Sequence, residues 1–133
     1  MDFVSPQDLQ DRIDSGKQLN ILDIRTKLEH DALRLQQLHE HIPLDQIYVS
    51  TFEKQIDRNI PLYLLCKMGP RAIQLGNALA AYNIHNTYII EGGIMGCQEM
   101  GMALEIGTEM PDPEDIQHAA QVSFLRFLEN NSV

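Results

Sequence analysis

Residues 60–71 read I-P-L-Y-L-L-C-K-M-G-P-R, and this stretch decides how the rest of the chain is interpreted. The unbroken apolar run at 60–66 is typical of a strand that is buried on both faces of a parallel sheet. Pro70 is favoured at the first position of a helix, and apolar side chains recur with helical spacing over 70–82. The stretch therefore predicts a strand, a short loop that begins at Cys66, and a helix.

Apolar strands and amphipathic helices also alternate on both sides of this stretch. Strands are predicted at 19–24, 41–44 and 86–90. Helices or helical turns are predicted at 5–16, 26–40, 50–57, 94–103 and 112–130. Because strands alternate with helices, we expect an α/β fold in which about five mostly parallel strands carry helices on both faces.

Composition limits the class of protein and its partners. The chain has 133 residues, enough for one domain, and a net charge of −9 without a basic cluster, which argues against nucleic-acid binding. The N-terminus lacks the features of a signal peptide, no stretch has the length of a membrane span, and there are only two cysteines. These features predict a cytoplasmic protein with free thiols and no membrane partner.

The chain is expected to divide near a Pro-rich segment at 107–113. Residues 1–106 are predicted to form the main domain. Residues 107–133 are predicted to form a C-terminal helical extension that packs on the same domain, because the apolar stripe of its helix must be covered.

Chemistry is expected where the parallel strands end, since ligands of such sheets bind beyond the carboxyl ends of the strands. The segments 23–25, 66–71 and 91–93 meet there. Backbone amides between the strand and the helix can form an anion nest that stabilises a Cys66 thiolate. Gly69 permits an unusual backbone conformation. From the residues alone, Cys66 is either this nucleophile or a buried core cysteine.

The segment C-K-M-G-P-R-A at 66–72 resembles the active-site loop of the rhodanese family, C-x-x-G-x-R followed by a small residue. The segments I-L-D-I-R at 21–25, E-H-I-P at 40–43 and E-G-G-I-M-G-C-Q-E-M-G at 91–101 resemble further elements of that family in the same order. The resemblance covers about residues 3–105 and implies a rhodanese-like three-layer sandwich.

The resemblance also implies a rhodanese-type sulfurtransferase, similar to thiosulfate sulfurtransferase. Cys66 would take a sulfane sulfur from thiosulfate or a persulfide donor, hold it as a persulfide, and pass it to a thiol acceptor, possibly a protein. The segment after Cys66 would bind the substrate, and three charged residues would support the site. These residues are Lys67, Met68, Gly69, Pro70 and Arg71 for the substrate, and Asp23, Arg25 and Glu29 for support.

Two features leave alternatives open. The loop has four residues between Cys66 and Arg71, whereas related phosphatases have five, so sulfur transfer is favoured over phosphatase activity. Pro70 has no N–H, so the nest has one donor fewer, and only modest thiosulfate activity is expected. The alternative is a catalytically weak rhodanese-like binding or regulatory module.

The second cysteine and the histidines are expected to be structural. Cys97 stands where the family commonly has tryptophan, and it is interpreted either as a resolving thiol or, in preference, as a small apolar side chain that fills space. The five histidines show no zinc-ligand spacing, and the H-E-H segment at 39–41 is predicted to be a solvated loop. No metal and no cofactor are expected.

Overall fold

The structure is a computed structural model that describes residues 1–132. Helices and strands alternate along the chain, as the sequence predicts. The strands are β1 (Asp2–Val4), β2 (Asn20–Asp23), β3 (Leu33–Leu35), β4 (Glu40–His41), β5 (Leu62–Leu65), β6 (Thr87–Ile90) and β7 (Leu104–Ile106). The helices are α1 (Pro6–Asp14), α2 (Lys27–Ala32), α3 (Val49–Phe52), α4 (Pro70–Ala80), α5 (Gly93–Met100) and α6 (Pro113–Asn130).

Five of these strands form one parallel sheet in the order β1-β6-β5-β2-β4. β5 is its central strand, and Leu65 at the end of β5 pairs in register with Asp23 at the end of β2. This arrangement confirms the predicted α/β fold with five parallel strands. It also brings the segments after β2, β5 and β6 to one edge of the sheet.

Helices cover both faces of the sheet and create two separate cores. Leu62 and Leu64 of β5 point into the core that α4 covers, together with Leu75 and Leu79. The alternate residues of β5 point into the opposite core, which α1 and α5 cover. Successive side chains of a strand point to opposite faces, so the apolar run in β5 reflects burial on both sides.

Three short strands were not predicted. β1 pairs with β6 at the edge of the main sheet, and β3 pairs antiparallel with β7 in a separate two-stranded ladder. Each has only three residues, which is too short for a period-2 pattern to stand out. The predicted helical turns over 26–40 are therefore wrong beyond Ala32, where α2 ends. The strand predicted at 41–44 is shorter than expected. Only β4 is extended there, because residues 44–46 form a 3₁₀ turn.

Helix α6 lies against the 3₁₀ turn at 44–46 and against α2. The Ser123 hydroxyl donates to Asp45 Oδ1 at 2.8 Å, and the Asn131 side chain accepts from the Val49 amide at 2.7 Å. Phe127 is buried in the core that α4 covers, with 3% of its surface exposed. These contacts join residues 112–131 to the body of the domain, whereas residue 133, the last of the predicted extension, lies outside the described residues.

Within residues 1–132, no helix combines the length and the apolar character that crossing a bilayer requires.

We expect the packing of α6 to contribute substantially to stability. Phe127→Ala should lower the free energy of unfolding by about 3–5 kcal/mol, because it leaves a cavity in the core. Leu125→Ala on the same helix, where 61% of the residue is exposed, should change it by less than about 0.5 kcal/mol. Urea denaturation of both variants measures the difference, and similar values for the two would show that α6 is not docked as described.

Candidate active site

The Cys66 thiol lies directly after β5 and receives a hydrogen bond from the loop that follows. The Gly69 amide donates to Cys66 Sγ at a distance of 3.0 Å. Gly69 has a φ of +132°, a conformation that residues with a side chain rarely adopt. Only 1% of the Cys66 surface is exposed, while Lys67 and Met68 beside it are exposed. The sulfur therefore lies close beneath the surface with an amide directed at it.

Helix α4 begins immediately after this loop, with Gly69 as its N-cap and Pro70 at its first position. The first N–H groups of a helix have no partners within the helix, which leaves the Arg71 and Ala72 amides at the end of the loop for an anion. The helix dipole also favours negative charge at this end. Pro70 supplies a favourable helix start but no N–H donor.

Helix α5 holds the other side of the cysteine loop. The Ile94 amide donates to the Cys66 carbonyl at 2.9 Å, and the Met95 amide donates to the Lys67 carbonyl at 3.2 Å. Gly93 has a φ of +58°, and a Cβ built on it would overlap both of these carbonyl oxygens. The helix reaches the loop only because residue 93 has no side chain.

The positioning role of α5 was not predicted, although the sequence contained a signal for it. The sequence places the segment E-G-G at 91–93 at the carboxyl edge of the sheet, but its paired glycines were not predicted to bring α5 against the cysteine loop. Gly92 is the N-cap of α5 with a φ of +72°, and both glycines adopt left-handed backbone. Two consecutive glycines directly before a helix are a recognisable sign of close backbone approach.

Arg71 is held by Glu29 through two parallel hydrogen bonds, each 2.8 Å long. Glu29 also accepts from the Thr26 amide at 3.1 Å and so completes a capping box at the start of α2. Burial raises the pKa of Glu29, but hydrogen bonding to Arg71 and its charge outweigh burial and hold that pKa below its usual value. The pair joins the first turns of α2 and α4.

Arg25 and Asp23 form a second buried pair at the end of β2. The guanidinium donates to Asp23 Oδ2 at 2.8 Å and to the Leu33 carbonyl at 2.7 Å. Asp23 also accepts from the backbone amide of Arg25 at 3.0 Å. The pair connects β2 with the end of α2 and with β3, so both members are engaged in holding the sheet edge together.

The structure separates the predicted site residues into two groups. Cys66, Gly69 and Arg71 lie in the buried part of the site, whereas Lys67, Met68 and Pro70 are exposed. Burial lowers the pKa of Arg71, but its hydrogen bonds to Glu29 raise it above the usual value. Arg71, predicted to bind the substrate, is thus already paired with a carboxylate.

Cys97 lies in the core that α1 and α5 cover, on the other side of the sheet from Cys66. It is completely buried, and burial raises the pKa of its thiol to about 11. A thiol with such a pKa carries almost no thiolate at neutral pH, and thiolate is the nucleophilic form. Both observations favour the interpretation of Cys97 as a space-filling apolar side chain.

The H-E-H segment is not the solvated loop that the sequence predicted. Glu40 and His41 form β4, and both His39 and His41 are half-buried. The His30 ring stacks on His41 with 4.0 Å between centroids, and its Nε2 lies 2.8 Å from His39 Nε2. Burial lowers the pKa of His30 to about 4, with the charge of His41 as a further cause. The prediction failed because His39 and His41 pack against His30, which lies on α2 and is not adjacent to them in the sequence.

Fold and site together define a parallel α/β domain with a cysteine loop at the carboxyl edge of its sheet. Residues 5–100 match the rhodanese-like domain family. The chain belongs to this family. No curated protein sequence matches the chain significantly.

Solved structures of other proteins have the same fold. A Staphylococcus aureus rhodanese-like domain protein is 24% identical with a TM-score of 0.65, and the match covers 81% of this chain and 100% of that chain. A rhodanese-related protein from Thermoplasma volcanium is 21% identical with a TM-score of 0.67, covering 79% and 98%. A thiosulfate sulfurtransferase from Pseudomonas aeruginosa is 20% identical with a TM-score of 0.68, covering 92% of this chain but 24% of that longer one.

The Glu29–Arg71 pair should make stability depend on pH. Because folding lowers the Glu29 pKa, its contribution is present above the unfolded value of about 4.3 and is lost as the pH falls through the folded value. At pH 7, Glu29→Gln should be destabilised by about 3–5 kcal/mol, since Arg71 is left buried without its partner. Urea denaturation across the acid range should show the gap to wild type narrowing as the pH falls.

The matched control for this experiment is Asp31→Asn on the same helix, which removes an exposed partner of Lys27. We expect a much smaller change in stability from this variant, because the pair is exposed to solvent. A gap between Glu29→Gln and wild type that stays constant from neutral to acid pH would contradict the assigned role of the carboxylate.

Gly93 should tolerate a side chain less well than another glycine with similar backbone. Gly16 has a φ of +75° with no atom within 4 Å of a built Cβ, so Gly16→Ala should cost only the strain of left-handed backbone, about 1–2 kcal/mol. Gly93→Ala adds the overlap with the Cys66 and Lys67 carbonyls. Its free energy of unfolding, measured in urea, should therefore fall further, and equal losses for the two variants would argue against the close approach of α5.

Proposed function

We propose that the protein is a sulfurtransferase that moves a sulfane sulfur from thiosulfate or a persulfide donor to a thiol acceptor through a persulfide on Cys66. The observation that carries this proposal is the hydrogen bond from the Gly69 amide to Cys66 Sγ. A backbone donor directed at a sulfur stabilises that sulfur as an anion, and both the thiolate and the persulfide are anions.

The reaction has two half-reactions. The Cys66 thiolate attacks the outer sulfur of thiosulfate, a new S–S bond forms, and the old S–S bond breaks with its electron pair leaving on sulfite. An acceptor thiolate then attacks the outer sulfur of the Cys66 persulfide, and the electron pair returns to Cys66. Because the enzyme is covalently modified between the two steps, ping-pong kinetics are expected.

The chain supplies the groups that this chemistry requires. The Gly69 amide at the N-cap of α4 and the Arg71 and Ala72 amides in its first turn favour negative charge on the transferred sulfur. Two backbone amides of helix α5 donate hydrogen bonds to the Cys66 and Lys67 carbonyls. These two oxygens therefore already have hydrogen-bond donors and do not compete with the sulfur for the amides of the loop. The charge of Arg71 is balanced by Glu29. Its contribution to the site is therefore to hold the first turn of α4 in place beside the cysteine loop.

The second candidate is a catalytically weak binding or regulatory module with the same fold. Two observations favour it: Cys66 is only 1% exposed, and Pro70 removes one donor from the loop. Because the cysteine is buried, a sulfur donor such as thiosulfate can reach Cys66 Sγ only if the loop moves. The same observations are compatible with a sulfurtransferase of modest rate, so measurement of the covalent intermediate decides between the two.

Mass spectrometry of the reduced protein after thiosulfate treatment tests the proposal. We expect a mass increase of one sulfur atom, located on the peptide that contains Cys66, together with release of sulfite. Cys66→Ala should abolish the increase, whereas Cys97→Ala should retain it. A folded wild-type protein that gains no sulfur from thiosulfate, mercaptopyruvate or a persulfide donor would instead support the binding module.

A further inference from the structure

Three histidines meet at the edge of the sheet where β4 lies, outside the cysteine loop. They come from three places in the chain: His30 from α2, His39 from the segment before β4, and His41 from β4 itself. His30 and His39 approach each other through their Nε2 atoms at 2.8 Å. One oxygen of the buried Asp23 carboxylate and one ring nitrogen from each of these two histidines all lie within 4.8 Å of one another.

We propose that His30 and His39 bind a divalent transition-metal ion through their Nε2 atoms, next to the Asp23 carboxylate. Imidazole nitrogen suits Zn²⁺, Cu²⁺ and Ni²⁺. In a tetrahedral zinc site with Zn–N distances of about 2.0–2.1 Å, two ligand nitrogens lie about 3.3 Å apart. The two Nε2 atoms need to separate by about 0.5 Å to reach this geometry. Both rings must also tilt, because their Nε2 atoms now face each other along one line and their lone pairs must converge on the ion.

The hydrogen bonds around the cluster already orient one ligand. His39 Nδ1 lies 2.7 Å from the Gln37 carbonyl, and because a carbonyl only accepts, Nδ1 carries the proton. The Nε2 atom of neutral His39 therefore presents its lone pair toward His30. A backbone carbonyl that fixes the tautomer in this way is the usual outer partner of a metal-binding histidine.

His30 must change its tautomer when the ion binds. In the neutral cluster its Nε2–H donates to His39 Nε2; metal binding needs the Nε2 lone pair, so the proton moves to Nδ1 and the ring stays neutral. Stacking on His41 fixes the plane of the His30 ring. His41 is not a ligand in this proposal, because its Nε2 donates to the Arg25 carbonyl at 2.8 Å.

Asp23 stays paired with Arg25 and is not a ligand in this proposal. Its two oxygens accept from the Arg25 amide and guanidinium, which occupies its acceptor sites. Water completes the coordination of the ion. His30 also lines a cavity of about 460 Å³ together with Asp31 and Arg34, so one ring of the cluster borders solvent-accessible space.

Metal binding should be measured on the Cys66→Ala protein, so that the active-site thiol cannot act as a ligand. This background also separates the metal proposal from the proposed sulfur transfer. Competition between the protein and a chromophoric chelator for Zn²⁺ should give one site per chain. When His30→Ala or His39→Ala is introduced into the Cys66→Ala protein, the affinity for Zn²⁺ should fall by about tenfold or more, because a ligand is lost.

Two exposed histidines provide matched controls. His85 and His118 lie outside the cluster, and replacing either with alanine should leave the zinc affinity unchanged. Zn²⁺ should raise the unfolding temperature of the Cys66→Ala protein, because an ion that binds only the folded state stabilises it. The increase should be absent in the His30→Ala and His39→Ala variants.

A direct readout keeps the test independent of how well the variants fold. In ¹⁵N-edited NMR spectra of the imidazole rings, Zn²⁺ should shift the Nε2 resonances of His30 and His39, and the proton of His30 should appear on Nδ1. The proposal is overturned if Zn²⁺ leaves these resonances unchanged, or if His85→Ala weakens binding as much as His39→Ala does.

Discussion

The position of the cysteine loop depends on two hydrogen bonds that do not involve the cysteine side chain. The Ile94 and Met95 amides bind the Cys66 and Lys67 carbonyls, and this contact is possible because Gly93 has no side chain. A peptide unit whose carbonyl is held by a neighbouring helix cannot rotate freely. The start of the loop is therefore fixed, and the Gly69 amide that follows it is directed at Cys66 Sγ.

Buried charge around the loop is balanced in pairs. Arg71 is neutralised by Glu29 and Arg25 by Asp23, so the interior of the site carries little net charge although the chain as a whole carries −9. Arg71 joins segments that are distant in sequence, whereas Arg25 joins β2 to the α2–β3 region that follows it. Removal of either carboxylate would leave a buried cation. Charge at the site thus serves mainly to fix α2, α4 and the end of β2 relative to one another.

The central features of the fold could be predicted because their sequence signals are local. The apolar run of β5 and the helix start at Pro70 appear in the structure at the expected places, and α1 and α6 lie within their predicted ranges. The ladder between β3 and β7 could not be predicted, since each strand is stabilised by residues about seventy positions away. Three-residue strands carry too little pattern of their own.

The same reasoning explains what could be predicted of the site. Cys66, Gly69 and Arg71 lie within six consecutive residues, so their proximity follows from the sequence. The role of Gly93 and the meeting of His30 with His39 depend on tertiary contacts. The pairing of Glu29 with Arg71 rather than with Arg25 also required the structure, because Glu29 and Arg71 are 42 positions apart in the sequence.

The placement of the two cysteines in opposite cores determines how the protein can respond to oxidants. If peroxide converts Cys66 to a sulfenic acid, the chain holds no second thiol on the same face of the sheet that could condense with it. Recovery must then come from a small thiol or reductase in solution, and further oxidation to the sulfinic acid competes with that encounter. The buried Cys97 keeps its place in the core and offers no internal protection.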